Sequence, residues 1–204
     1  MIDASIRRVI DPLLSRAGRW LAAAGIGADP VTIGGCLLGL TAAFAASSGQ
    51  FYIALALLIA NRIADGLDGA IARATLHTDR GAFLDIALDF LVYASVPLGF
   101  AIWRPQANAL AAAYLLSSYV ANGSAFLAFS IMAERRGMMT SRQGQKTIYY
   151  LAGIAEGFET IVFMVAFCLF PSAFPALAIV FATMCWLSAV ARLVLGWKLL
   201  GPNA

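Results

Sequence analysis

Four aspartates make up the part of this sequence that is best suited to chemistry. They are Asp65, Asp68, Asp85 and Asp89. Carboxylates that converge in a medium of low polarity repel one another, so cations must offset their charge if all four are ionised. A set made of carboxylates alone favours hard, oxygen-ligated ions such as Mg²⁺ or Mn²⁺. Two such ions suit phosphoryl-type chemistry on a diphosphate substrate.

The spacing of these aspartates predicts two facing stripes on consecutive helices. At 100° per residue, Asp65 and Asp68 share one helix face with the small residues Gly69 and Ala72. These small residues keep the face nearly bare, so a ligand or a helix backbone can approach it closely. Because the connection to the next helix is short, a second stripe there can face the first. That second stripe, at intervals of four residues, consists of Gly81, Asp85 and Asp89.

The elements that carry these stripes are predicted to be transmembrane helices. Of 204 residues, 61% are hydrophobic and 12% are charged, which is more apolar surface than a water-soluble domain of this length buries. Apolar runs recur along the chain, each near the roughly 20 residues that cross about 30 Å of hydrocarbon. We predict an all-α integral membrane protein with six transmembrane helices, at about 31–49, 51–74, 81–103, 107–132, 148–170 and 174–197.

The N-terminal segment differs from these runs because arginines and aspartates interrupt its apolar residues. Apolar side chains between Ile2 and Leu21 fall near one helical stripe, which is typical of a helix lying on the membrane surface. A soluble capping helix is the alternative. We therefore divide the chain into an amphipathic interfacial helix, 1–28, and a transmembrane catalytic domain, 29–204.

The distribution of basic residues predicts the orientation of the chain. With six spans, the arginines and lysines outside the membrane fall almost entirely on one side, and only Arg104 falls on the other. Basic residues concentrate on the cytoplasmic side of membrane proteins. Both termini and the active site are therefore predicted to be cytoplasmic, in a bacterial inner membrane.

The order of the aspartates resembles the signature of a known family. The pattern is Asp65-x-x-Asp68-Gly69-x-x-Ala72-Arg73, followed by Gly81-x-x-x-Asp85-x-x-x-Asp89. It closely resembles the signature of the CDP-alcohol phosphotransferases, also called CDP-alcohol phosphatidyltransferases, which include synthases of phosphatidylglycerol phosphate, phosphatidylinositol phosphate, phosphatidylserine and phosphatidylcholine. The resemblance implies a membrane enzyme that moves a phosphatidyl group from a CDP-linked donor, foremost CDP-diacylglycerol, to an alcohol acceptor and releases CMP.

The resemblance also implies roles for single residues. It implies a homodimer whose aspartates hold two Mg²⁺ or Mn²⁺ ions in each active site. Asp65 and Asp85 would bridge both ions, and Asp68 would bind one. Asp89 would contact metal and act as the general base towards the acceptor hydroxyl. The residues that the resemblance assigns to the CDP moiety are Asp29, Thr32, Gly69, Ala72, Arg73, Thr78 and Gly81.

Two of these assignments have a simpler alternative. Asp29 and Thr78 each stand where the N-cap of a helix is expected. Capping alone would then explain both residues, with no contact to a nucleotide.

The acceptor depends on other residues, for which several readings stay open. Glu156 and Glu159 lie in the fifth apolar run, and an acidic pair would favour a cationic acceptor such as an amino alcohol. Arg62 and Arg192 would instead hold a phosphorylated acceptor such as glycerol 3-phosphate. Pairing of these glutamates and arginines with one another is the purely structural alternative. The predicted partners are a CDP-linked lipid, a small alcohol and the bilayer, with no nucleic acid.

Three other functions fit parts of the pattern. A CDP-aminoalcohol:diacylglycerol phosphotransferase would use the same motif with a different donor. An intramembrane aromatic prenyltransferase also holds Mg²⁺ and a diphosphate, but it places an aspartate where Arg62 follows Asn61 here. A non-enzymatic cation transporter would need a polar path through both leaflets, whereas the carboxylates here cluster toward one side.

Overall fold

Helices make up every regular element in the part of the chain that the structure describes. The computed structural model describes residues 2–137, 155 and 157–201, with side chains from residue 11 onward. The chain forms two compact units, 1–105 and 106–204. In chain order the helices are α1 (Ile2–Ala23), α2 (Ala28–Ser47), α3 (Phe51–Ala74), α4 (Asp79–Trp103), α5 (Pro105–Arg135), α6 (Gly157–Leu169), a 3₁₀ helix (Pro171–Ala173) and α7 (Phe174–Leu199).

Within the described ranges, four helical segments are long and apolar enough to cross a membrane. They are α2, α4, α5 and Pro171–Leu199, which includes α7. Helix α3 has a comparable length of 24 residues, but its charged side chains, among them Asp65 and Asp68, lower its hydropathy. Helix α6 covers 13 residues. The all-helical membrane fold is therefore confirmed, while the count of six spans stays a prediction.

Helix α1 packs on α3 through small residues. A Cβ placed on Gly18 would lie 2.6 Å from the Cβ of Ala70, and one placed on Gly66 would lie 2.7 Å from Leu14 Cδ1. Residues Ile2–Ala23 are thus helical and pack against the helix that carries Asp65 and Asp68, while the amphipathic character of this helix stays a prediction. Its position on the membrane surface stays a prediction.

Helix α2 packs closely against both α3 and α4. A Cβ on Gly35 would lie 3.1 Å from the Cβ of Ala64 in α3, and one on Gly39 would lie 2.6 Å from both methyl carbons of Val92 in α4. Small residues let helix backbones approach each other in this way. Helix α2 therefore sets the positions of the two helices that carry the aspartates.

In the second unit, polar contacts link α5 to α7. Arg192 Nη1 donates to the side-chain oxygen of Asn122 at 2.7 Å. The guanidinium of Arg136 donates to the carbonyl oxygens of Leu200 and Gly201, at 2.7 and 3.2 Å. These carbonyls follow the C-terminal end of α7, where backbone acceptors lack helical partners.

We expect Gly99→Ala to destabilise the protein by about 1 to 3 kcal/mol, the usual cost of overpacking. The added methyl group would clash with the carbonyl oxygen and backbone of Ala43, which are rigid parts of α2. The midpoint of thermal unfolding in detergent measures the effect.

Gly34→Ala is the matched control, because nothing lies within 4 Å of the methyl group that it adds to α2. Alanine stabilises a helix interior by about 1 kcal/mol relative to glycine, so the control should melt at or above the wild-type midpoint. Equal midpoints for the two variants would contradict the close approach of α2 and α4.

Candidate active site

All four aspartates line one cavity in the first unit. The predicted stripes on α3 and α4 face each other there, and side-chain oxygens of Asp65, Asp85 and Asp89 lie within 4.8 Å of one another. Helix α2 supplies the remaining wall. The residues that line the cavity are Thr32, Gly35, Cys36, Asn61, Asp65, Asp68, Asp85, Leu88, Asp89 and Val92.

Asp68 lines the same cavity but lies outside the group of three. Its side chain is buried, and its Oδ2 atom has no hydrogen-bond partner in the described part of the chain. A buried carboxylate oxygen without a partner is costly, which makes it a candidate ligand for a bound cation. Thr32 also lines the cavity, and its hydroxyl donates to the carbonyl oxygen of Ala28, at 3.1 Å.

The aspartate set fits a hard divalent cation. Ligand oxygens on opposite sides of an octahedral Mg²⁺ lie about 4.2 Å apart, twice the Mg–O distance. The oxygens of the three carboxylates, which all lie within 4.8 Å of one another, are therefore within a small side-chain movement of a binding geometry. Carboxylate ligands favour Mg²⁺ or Mn²⁺ over softer metals.

Arg62 places a positive charge among these carboxylates. Its Nη2 donates to Oδ1 of Asp89 at 2.7 Å, and its Nη1 lies 3.8 Å from Oδ2 of Asp65. Only 15% of the Arg62 side chain is exposed, so water screens these contacts little. Arg62, a predicted acceptor contact, is thus held by the aspartates, and its acceptor role stays a prediction.

Three residues that the resemblance assigns to the CDP moiety meet at the N-terminal ends of α2 and α4. The Thr78 hydroxyl accepts a hydrogen bond from the backbone N–H of Gly81, at 3.0 Å. A Cβ on Gly81 would lie 3.3 Å from Oδ1 of Asp29. The other oxygen of Asp29 accepts from Arg80 Nη2 at 2.6 Å. Glycine at position 81 therefore leaves room for the Asp29 carboxylate.

The capping alternative holds for one of the two residues to which it applies. Thr78 is the N-cap of α4 and its side chain makes the capping hydrogen bond. The N-cap of α2 is Gly27, and Asp29 stands inside the first turn. Capping therefore leaves the Asp29 carboxylate unexplained.

Arg73 and Gly69 form a second small group. A Cβ on Gly69 would lie 3.3 Å from Nη1 of Arg73, so the absence of a side chain at 69 lets the guanidinium fold back along α3. Arg73 is exposed, and Ala72 beside it is half-buried. An exposed guanidinium at a helix end is free to bind a phosphate.

The remaining acceptor candidates belong to the second unit. Arg192 donates to Asn122 and lies over the ring of Phe126, 5.3 Å from its centroid. Glu159 lies in the first turn of α6, and Glu156 lies outside the described residues. The acceptor roles of these three charged residues stay predictions.

Three residues that contact the site, Tyr93, Asn61 and Arg80, are not among the predicted site residues. Tyr93 continues the stripe at intervals of four beyond Asp89, a signal that the sequence does contain. Its hydroxyl donates to Oδ2 of Asp89 at 2.9 Å. Asn61 lies beside Arg62 and bonds to α2. Arg80 pairs with Asp29 across 51 positions, and no spacing rule indicates that contact.

A comparison with known protein families decides the family. The family model named CDP-alcohol phosphatidyltransferase matches residues 26–197. This chain belongs to the CDP-alcohol phosphatidyltransferase family. The matched region contains all four aspartates and every residue assigned above to the CDP moiety. Membership makes the protein a membrane transferase of phospholipid synthesis.

Relatives cover nearly the whole chain. It is 41% identical over 197 residues to the inner membrane protein YnjF of Escherichia coli strain K12, across 97% of this chain and 96% of that one. It is 29% identical over 203 residues to an archaetidylinositol phosphate synthase of Methanothermobacter thermautotrophicus, across 95% of this CDP-alcohol phosphatidyltransferase and 91% of that one.

A solved structure shares the fold. It is the crystal structure of Mycobacterium tuberculosis phosphatidylinositol phosphate synthase, PgsA1, with CDP-DAG bound. The TM-score is 0.74, with 20% sequence identity across 92% of this chain and 94% of that chain. This CDP-alcohol phosphatidyltransferase therefore has the same fold as that solved structure.

We expect Asp85→Asn to weaken Mn²⁺ binding by at least about tenfold, because losing even an outer-shell partner of a metal costs about 10- to 100-fold in affinity. The change removes one of the three converging carboxylates. Electron paramagnetic resonance of Mn²⁺ titrated into the purified protein in detergent measures the affinity.

Asp79→Asn is the matched control, since Asp79 lies on the same helix in its exposed first turn and the change in charge is the same. The control should bind Mn²⁺ as the wild type does. An equal loss in both variants would reduce the effect to net charge and contradict the metal site.

Proposed function

We propose that this enzyme transfers a phosphatidyl group from CDP-diacylglycerol, or a similar CDP-linked lipid, to a small alcohol and releases CMP. The observation that carries the proposal is the aspartate cluster. Carboxylate oxygens of Asp65, Asp85 and Asp89 lie within 4.8 Å of one another, and Asp68, whose buried Oδ2 has no hydrogen-bond partner among the described residues, lines the same cavity. These four residues stand at the aspartate positions of the family signature.

The proposed reaction exchanges one phosphorus–oxygen bond for another. The oxygen of the acceptor hydroxyl attacks the phosphorus that carries the lipid. The bond between this phosphorus and the bridging oxygen breaks, and CMP leaves with that oxygen and the electron pair. Asp89 takes the proton of the acceptor hydroxyl as general base. The hydroxyl proton thus ends on the Asp89 carboxylate, from which solvent can remove it.

Asp65, Asp68, Asp85 and Asp89 would hold two Mg²⁺ or Mn²⁺ ions. When bound, such ions offset the charge of the diphosphate and stabilise the charge that develops on the attacked phosphorus. The carboxylates alone would repel a diphosphate, and Arg62 offsets only one of their charges. The donor set therefore fits the chemistry only together with cations.

The groups at the helix ends support binding of the CDP moiety. Arg73 folds over Gly69 with its guanidinium exposed. Asp29 lies against Gly81 at the N-terminal ends of α2 and α4. The further residues that we assign to the CDP moiety are Thr32, Ala72 and Thr78.

The acceptor is the less defined substrate. The Methanothermobacter relative is named for its product, archaetidylinositol phosphate, which makes an inositol phosphate the first acceptor to test. We keep Arg62, Glu156, Glu159 and Arg192 as candidate acceptor contacts. A phosphorylated acceptor would use the arginines, and a cationic one would use the glutamates.

The proposal includes the location of the protein in the membrane and its orientation there. The described residues contain four helical segments that are long and apolar enough to cross a bilayer. Together with a relative named as an inner membrane protein, they support an inner-membrane location. We propose six spans, an N-terminal helix on the membrane surface, cytoplasmic termini and active site, and a homodimer. The excess of basic residues on one side supports the orientation.

The purified enzyme should release CMP from CDP-diacylglycerol in the presence of Mg²⁺ or Mn²⁺ and one particular acceptor. The acceptors to supply are inositol 3-phosphate, glycerol 3-phosphate, serine, choline and ethanolamine. Chromatographic detection of CMP measures the reaction, and EDTA should stop it. If no acceptor yields CMP, CDP-choline or CDP-ethanolamine with diacylglycerol is the next donor pair, and failure there too would refute the proposed activity.

Asp89→Asn should reduce turnover by about 10²- to 10⁴-fold, the usual contribution of a general base. Binding of CDP-diacylglycerol, measured by calorimetry in detergent with Mn²⁺, should remain detectable. Asp65→Asn should lose both turnover and binding, because it removes a central ligand of the cluster. Wild-type rates in either variant would contradict these roles, and Asp79→Asn again controls for charge.

A further inference from the structure

Both oxygens of the Asp89 carboxylate are held by side chains from the protein. Oδ1 accepts from Arg62 Nη2 at 2.7 Å, and Oδ2 accepts from the Tyr93 hydroxyl at 2.9 Å. Arg62 Nη1 in turn donates to the Tyr93 oxygen at 3.1 Å. The three side chains thus close a ring of hydrogen bonds. Such a ring fixes the rotation of the carboxylate, and hydrogen bonds between charged groups are the strongest of their kind.

The ring leaves Asp89 able to act as a base. Each oxygen of an ionised carboxylate has two lone-pair sites, and the ring fills one on each. The remaining sites can accept the hydrogen of an alcohol or contact a cation. Arg62 and Tyr93 therefore set the direction of these free lone pairs without occupying them.

Arg62 is itself held by a residue that is fixed to a backbone. Its Nε donates to Oδ1 of Asn61 at 2.8 Å, and Nδ2 of Asn61 donates to the carbonyl oxygen of Gly35 in α2, at 2.8 Å. Asn61 is 3% exposed. The opposite orientation of its amide would set donor against donor and acceptor against acceptor. The backbone of α2 thus fixes the position of Arg62 through Asn61.

These contacts form one continuous path across three helices. It begins at the backbone of α2, passes through Asn61 and Arg62 on α3, and ends at Asp89 and Tyr93 on α4. Three separate partners are joined by one planar guanidinium, which presents donors in a fixed fork. A lysine ammonium at this position would keep the charge but could not span the same three partners.

We propose that Arg62 is a positioning residue for Asp89 and acts with Tyr93, so that the general base points at the acceptor hydroxyl. This inference rests on the proposed function, in which Asp89 is the base. It differs from the prediction that Arg62 binds the acceptor. A residue that positions the base lowers kcat when it is changed, whereas a residue that binds a substrate raises KM.

Two conservative variants test the proposal, each with a matched control. Tyr93→Phe removes the phenolic oxygen and keeps the aromatic side chain. Tyr52→Phe makes the same change at a side chain that is 84% exposed. Arg62→Lys keeps the charge and loses the fork. Arg104→Lys makes that change at an exposed arginine stacked on a tryptophan, outside the cavity. CMP release with the acceptor that gives the fastest wild-type rate supplies kcat and both KM values.

We expect kcat to fall about tenfold in Tyr93→Phe and about 10- to 100-fold in Arg62→Lys, since misplacing a reacting group by about 1 Å can cost about 100-fold. Both KM values should stay within about twofold of wild type, and both controls should match wild type. Since the two residues act through one carboxylate, the double variant should lose less than the product of the single losses.

Several results would overturn the proposal. An unchanged kcat in both variants, or a lower kcat in only one, would contradict the proposal that Arg62 and Tyr93 position Asp89 together. A raised KM for the acceptor at constant kcat would make Arg62 a binding residue instead. If Arg62→Lys does not fold, the decision rests on Tyr93→Phe, the smaller change. An inactive wild-type enzyme would refute the proposed function itself, and the role of Asp89 with it, which separates the two failures.

Discussion

Repulsion between carboxylates inside a membrane domain is the constraint on which the rest of this structure depends. Oxygens of Asp65, Asp85 and Asp89 lie within 4.8 Å of one another on two helices of a membrane protein, a class in which charged groups are expensive to place. Such a cluster forms only if the fold forces the aspartates together and supplies opposite charge. Packing against α2 brings the aspartates together, and Arg62 supplies part of the opposite charge.

Helix α2 carries no aspartate of the cluster, yet it determines where the cluster lies. Its glycines bring two neighbouring helices close, with Gly35 against Ala64 on α3 and Gly39 against Val92 on α4. A larger residue at either position would push one of the aspartate helices outward. The same helix anchors Asn61 through the Gly35 carbonyl. Close packing and the polar path to Asp89 therefore begin at the same place on α2.

The sequence predicted the parts of the site that follow from helical periodicity. Asp65 and Asp68 share a face, Asp85 and Asp89 repeat at intervals of four, and the structure brings both stripes to one cavity. Tyr93 lies one step further along the second stripe, but aromatic residues near membrane interfaces more often belong to aromatic belts, so the sequence alone favoured that interpretation.

Other contacts had no signal that could have been recognised in the sequence. The bond from Asn61 ends on a backbone carbonyl, which every residue has, so only the path of the chain shows that it is the carbonyl of Gly35. The pair of Arg80 with Asp29 likewise depends on how α2 and α4 meet. Periodicity describes one helix at a time, and these contacts are properties of helix pairs.

Among the residues that the structure describes, Arg62 contacts the aspartate cluster with a positive charge and offsets only part of its negative charge. Four aspartates and Arg62 together carry a net charge of −3 if all are ionised. Two divalent ions would change this charge from −3 to +1, and the site would then attract the diphosphate of a CDP-linked lipid, which carries two negative charges. Metal and substrate should therefore bind more tightly together than apart. Arg62 is attached to the chain, so it can hold Asp89 in one orientation whether the ions are bound or not.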